Sequence, residues 1–156
     1  ELAPPTAVVE WISSLPIEIE MVVHSPVDTP GTGVTHEWLP WLTKSPVYCR
    51  LTRVHSDTQV FVSGCFGDLH DSDTRQVAHV FQTLQDRLAE AGSDLQHMAK
   101  ATYYVTNEAA SQSVNEIRPM LYDSEHPPAA SKAMVSGVGM PQLTVTLDMI
   151  AVPATE

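Results

Sequence analysis

Two segments with the period of an α-helix stand between runs with the alternation of β-strands, and this constrains the chain more than any other feature. Over residues 73–91, Val77, Phe81, Leu84 and Leu88 form one apolar stripe with Val80 and Ala91 beside it, the pattern of a helix that buries one face. Asp71 to Asp73 offer an N-cap, and Gly92 follows as a C-terminal stop. A second helix is expected from about Ala109 to Leu121, capped by Asn107, with Val114, Ile117 and Leu121 inward and Pro119 ending or distorting its last turn. Residues 47–54 and 59–64 read as a hairpin turning at His55-Ser56-Asp57-Thr58, residues 99–106 as one strand, and residues 131–138 with 143–152 as a final hairpin. The order β-β-α-β-α-β-β implies an α+β fold with one mixed sheet that carries both helices on one face.

An extra β-hairpin precedes this unit. Residues 7–12 and 17–23 read as strands joined at Ser13-Ser14-Leu15-Pro16, the second with Ile17, Ile19 and Met21 on one face and Glu18 and Glu20 on the other. Residues 24–43, with Pro26, Pro30, Pro40, Gly31 and Gly33, have the composition of a linker, although Trp38 and Trp41 suggest that it packs against something. The first hairpin also repeats the last. Pro4-Pro5-Thr6 leads into a strand, a turn at Pro16 and Glu20-Met21, as Pro127-Pro128-Ala129-Ala130 leads to Pro141 and Asp148-Met149. Residues 1–23 therefore read as the last hairpin of a preceding homologous domain. The chain begins at Glu1 rather than methionine, and no basic and apolar leader opens it.

Charge narrows the partners. Eight Lys and Arg against nineteen Asp and Glu give a net charge of −11, which repels the phosphate backbone of nucleic acids. No apolar run approaches the length of a membrane span. Cys49 and Cys65 form neither a CxxC nor a metal-ligand spacing, so a reducing, cytoplasmic compartment is expected. The seven histidines are dispersed, and His70-Asp71 has no second ligand at helical spacing, so no metal site is expected.

Several segments in a fixed order resemble the Rid family (YjgF-type proteins, also called L-PSP endoribonucleases). Ser45-Pro46-Val47-Tyr48-Cys49-Arg50 is similar to the family's Gly-Pro-Tyr-Ser opening, and Val60-Phe61-Val62-Ser63-Gly64 follows it. The helix from Thr74-Arg75-Gln76 to its exit Glu90-Ala91-Gly92-Ser93 resembles the family's first helix, Lys100 to Thr106 its next strand, and Val114-Asn115-Glu116-Ile117 its second helix. On this resemblance residues 44–153 are a complete Rid domain. It implies a chorismate-mutase-like fold and a homotrimer or pseudo-trimer whose sheets form a central barrel, with small-molecule ligands in clefts between subunits and no cofactor.

Many Rid proteins hydrolyse enamines or imines derived from amino acids. An arginine after Pro-Ala grips the substrate carboxylate, and a glutamate on the last strand positions or activates water. Carried over, the acid matches Asp148, the candidate catalytic residue, one methylene shorter than usual. Tyr48, Ser63, Gly64, Cys65 and Asn115 match the lining of the substrate cleft. The arginine position falls on Ala130, so the guanidinium is absent. Lys132, two residues along the same strand face, is the candidate substitute anchor. The resemblance thus implies a protein that binds a small metabolite and is weak or inactive as a catalyst, or alternatively an enamine/imine deaminase of altered specificity. An L-PSP-type endoribonuclease is disfavoured by the acidic charge and by the lack of a histidine pair or basic groove.

Overall fold

The computed structural model describes residues 9–10, 23 and 31–154. Its strands are β1 (Val9–Glu10), β2 (Val34–Glu37), β3 (Leu51–Val54), β4 (Val60–Ser63), β5 (Met98–Val105), β6 (Ala129–Met134), β7 (Gly137–Val138) and β8 (Val145–Ala151), and its helices are α1 (Asp73–Glu90) and α2 (Glu108–Leu121). The expected strand over 17–23, apart from Val23, and most of the internal repeat lie outside the described residues. The backbone of β1 pairs antiparallel with β7, Val9 opposite Val138.

Both helices form where the apolar stripes place them. Val77, Val80, Phe81, Leu84 and Leu88 of α1 join Ala110 and Val114 of α2 in the main core. The N-cap of α1 is Ser72, whose side chain makes no capping bond. At the other end Gly92 adopts φ +73, Gly92 N–H donates to Ala89 O at 3.1 Å, and Ser93 N–H donates to Leu88 O at 2.8 Å. This is a Schellman ending, and the left-handed residue it needs is a glycine. Asn107 caps α2 by accepting from Ala110 N–H at 2.8 Å. Pro119 lies within the last turn of α2, which closes with Tyr122 N–H donating to Arg118 O at 3.1 Å.

The main sheet has the order β4-β8-β5-β6, with β8 antiparallel to both neighbours and β6 parallel to β5. Two expected pairings are not formed. Residues 131–138 and 143–152 are not a hairpin: β6 lies parallel to β5, across the crossover helix α2, and β8 inserts on the other side of β5. A strand-helix-strand unit favours a parallel pair, and that preference outweighs sequence proximity. Nor do residues 47–64 form a hairpin. β4 pairs with β8, while β3 pairs antiparallel with β2, which rises from the segment that reads as linker. No two-residue turn lies between β3 and β4 to fix a hairpin register.

Strand parity sorts the two sheet faces. Val60 and Val62 of β4, Ala101, Tyr103 and Val105 of β5, Ala130 of β6, and Val145, Leu147, Met149 and Ala151 of β8 meet the helices in the main core. The intervening residues face away. At one end of that second face, Tyr104 and Ala133 pack against a small cluster of Val135, Val138 and Leu143.

Candidate functional site

A polar row crosses the sheet on the face away from the helices. Ser63 of β4 stands opposite Asp148 of β8, Asp148 opposite Thr102 of β5, and Thr102 opposite Ser131 of β6. One alternation places all of them, since their strand neighbours Val62, Ala101, Tyr103, Ala130, Leu147 and Met149 enter the core. Asp148 is half-buried, and Thr102 is almost fully buried. The Lys100 ammonium donates to the Thr102 hydroxyl, which sets a cation on the strand next to Asp148. The Ser63 hydroxyl oxygen is buried without a hydrogen-bond partner among the described residues. The row therefore joins a carboxylate, hydroxyls and an ammonium within one sheet face, which suits it to hold a polar ligand or orient a water.

The other expected site residues fall in three places. Gly64, at φ +68, turns the chain out of β4, and Cys65 then enters the main core at 5% exposure. Burial raises the Cys65 thiol above its usual value, so it is not primed as a thiolate. Tyr48 precedes β3 with the Arg50 guanidinium 5.0 Å from its ring centroid. It adjoins Cys49, whose amide donates to Pro128 O at 3.0 Å, so it stands near the start of β6.

Ala130 and Lys132 share the helix face of β6, as strand parity requires, and Ala130 packs against the main core. The Lys132 ammonium donates to Ser111 O at 3.2 Å, Ser111 Oγ at 2.7 Å and Asn115 Oδ1 at 2.9 Å. The structure thus brings Lys132 and Asn115 together, and Ser63 and Asp148 together, but on opposite faces of the sheet. Burial, and then the nearby Arg118 charge, hold the Lys132 ammonium below its ordinary pKa against the weaker pull of Glu108.

One constellation was not expected. A cleft of about 260 Å³ is lined by His36 of β2, His97 before β5, and Asp123 and His126 between α2 and β6, along with Gln96 and Gly33. His126 Nδ1 lies 2.7 Å from Asp123 Oδ2, His97 Nδ1 2.7 Å from Asp94 Oδ1, and the His36 and His126 rings meet edge-on at 5.7 Å. The His126 hydrogen bond lowers the Asp123 carboxyl, whereas burial lowers the His36 imidazole. These histidines come from separate segments, so no sequence spacing announces them. Among the described residues, no group of three or more His, Cys, Asp or Glu side chains is arranged to hold a metal ion. No described helix is long and apolar enough to cross a membrane.

Solved structures of similar fold agree with this architecture. The Rid-family protein YyfB of Yersinia pestis superposes with a TM-score of 0.64 at 13% identity, covering 78% of this chain and 99% of its own. A YjgF-family protein of Neisseria meningitidis gives 0.59 at 18% identity over 79% of this chain and 97% of its own. A YjgF/YER057c/UK114-family protein of Mycobacterium tuberculosis gives 0.54 at 23% identity over 67% and 86%. No curated protein matches the chain. Residues 46–153 match the family described as Endoribonuclease L-PSP, and with more than half of its length matched the chain belongs to that family, whose members are also called YjgF or Rid proteins.

Proposed function

We propose that this protein binds a small polar metabolite at the Ser63–Asp148–Thr102–Ser131 row, in a cleft completed by neighbouring subunits of a trimer, and that it is weak or inactive as an imine hydrolase. The observation that carries the reading is that Asp148 and Lys132 lie on opposite faces of the sheet. Asp148, the acid that would orient water, lies on the face away from the helices. Lys132, the cation that would replace a missing guanidinium at position 130, gives its donors to Ser111 and Asn115 on the helix face. A substrate carboxylate beside Asp148 therefore lacks the fork that would fix the reacting carbon.

Phe61, 54% exposed on the same face as Ser63, supports burial against another subunit, since an apolar ring in that position gains from being covered. In the same proposal residues 1–23 are the closing hairpin of a preceding repeat, and the pairing of β1 with β7 supports their docking on this domain. Two buried free cysteines agree with a reducing cytoplasm.

A second reading, a deaminase of altered specificity, is favoured by Asp148 lying between hydroxyl side chains with Lys100 on the adjoining strand. It would take substrates without a carboxylate.

The test is a metabolite screen by amide chemical shifts, with light scattering for assembly. The proposal expects a trimer and saturable shifts clustered at Ser63, Thr102, Ser131 and Asp148, weakened in Asp148→Ala. A monomer, or binding that leaves this row unmoved, overturns it.

A further inference from the structure

On the helix face, two cations converge on one neutral oxygen. Asn115 Oδ1 accepts from Lys132 Nζ at 2.9 Å and from an Arg118 terminal N–H at 2.7 Å, so the ammonium and guanidinium lie no more than two hydrogen-bond lengths apart. Arg118 is only 7% exposed, its guanidinium lies over the Tyr103 ring at 5.1 Å, and its Nε has no hydrogen-bond partner among the described residues. Neither cation has an ion-pair partner among the described residues, in a chain with nineteen acids against eight Lys and Arg. Buried charges in proteins are ordinarily paired, because an amide carbonyl is a poor replacement for a counter-ion. Asn115 itself is exposed on α2, so the cluster opens to solvent where the shared oxygen sits.

We propose that Arg118, Lys132, Ser111 and Asn115 form a binding site for a small oxyanion, a carboxylate or phosphate group, distinct from the polar row on the other sheet face. The Asn115 amide holds the place of one anionic oxygen. On binding, the exposed side chain rotates out, the anion accepts from Lys132 and from Arg118, and its second oxygen engages a further guanidinium N–H that a lone amide oxygen leaves unused. The Ser111 hydroxyl fixes the ammonium from below, at 2.7 Å. The depressed basicity of Lys132, caused first by burial and then by Arg118, is the condition an anion would relieve. The proposal does not depend on how the polar row is used.

The experiment titrates the full chain with acetate, phosphate and chloride at constant ionic strength, following melting temperature and the resonances of the Asn115 amide group and Arg118 Nε–H. A saturable rise in melting temperature is expected with acetate or phosphate and not with chloride, both resonances moving on the same isotherm. The tighter of the two names the source as a carboxylate or a phosphate group. Asn115→Asp fixes a carboxylate in place of the amide. It should melt higher than wild type without added anion and bind acetate or phosphate at least about tenfold more weakly. No saturable response beyond that of chloride, a motionless Arg118 Nε–H, or an Asn115→Asp protein that responds as wild type does would each overturn the proposal.

Discussion

Replacing Lys132 by methionine tests whether its ammonium is a strut of the fold. Methionine keeps the apolar stem and removes three donations, to Ser111 O, Ser111 Oγ and Asn115 Oδ1. A hydrogen bond to a charged donor contributes about 1.5–3 kcal/mol. Two effects offset it here. The Ser111 carbonyl lies within α2 and keeps its helical environment, and the variant no longer holds a partly desolvated ammonium beside Arg118. A net loss of about 1–2 kcal/mol is expected, or a fall in melting temperature of roughly 2–8 °C for a chain of this size. The pH dependence carries a sign. The folded pKa is depressed below the unfolded value of 10.5, so across that interval the unfolded state binds more protons and wild-type stability rises with pH. That rise should vanish in Lys132→Met, so the gap between the two proteins should widen between the folded pKa and 10.5. Urea denaturation at several pH values measures it. A variant at least as stable as wild type, or a gap that narrows with rising pH, would refute the reasoning.

Gln76, almost fully buried on α1, donates to Gln142 O at 2.9 Å and accepts from Thr144 N–H at 3.0 Å, tying the helix to the turn before β8. Gln76→Leu should cost about 1–3 kcal/mol by chemical denaturation, because it strands those backbone groups. The Tyr103 and Tyr122 hydroxyls bond to each other in the core. Tyr103→Phe leaves the Tyr122 hydroxyl without that partner and should cost about 1–3 kcal/mol in the same assay. Burial pushes Tyr122 up to about 12, so an ultraviolet titration should show its phenolate appearing only well above the usual tyrosine range. Burial likewise pushes the Cys49 thiol up to about 11, and a thiol reagent at pH 8 should modify it far more slowly in native than in unfolded protein.

Local elements were legible in the sequence, and their pairings much less so. Val77, Phe81, Leu84 and Leu88 mark α1 because helix burial leaves a periodic trace, and Gly92 and Asn107 mark ends that only a few residue types can form. The partner of a strand leaves no such trace. Residues 47–54 and 59–64 alternate like a hairpin, yet β3 took β2 and β4 took β8. The same limit applies to the site. Lys132 was legible as sharing the face of Ala130 by parity, but that this face is the one under α2, opposite Asp148, follows only from the registers of β5, β6 and β8. Arg118 reads as one more helix cation until Asn115 and Tyr103 surround it.

The central claim is that a carboxylate beside Asp148 has no guanidinium fork to hold it, and that Lys132, on the other sheet face, does not stand in for one. The most direct measurement is kcat/KM for hydrolysis of an imine made from an ordinary amino acid, compared with a Rid protein that carries the arginine. Loss of a contact worth about 1.5–3 kcal/mol that orients the reacting carbon predicts a rate roughly 10- to 150-fold lower, unchanged in Lys132→Met once folding is accounted for. A wild-type rate equal to that of the arginine-bearing protein would contradict the account, as would activity that collapses when Lys132 alone is removed from a folded chain.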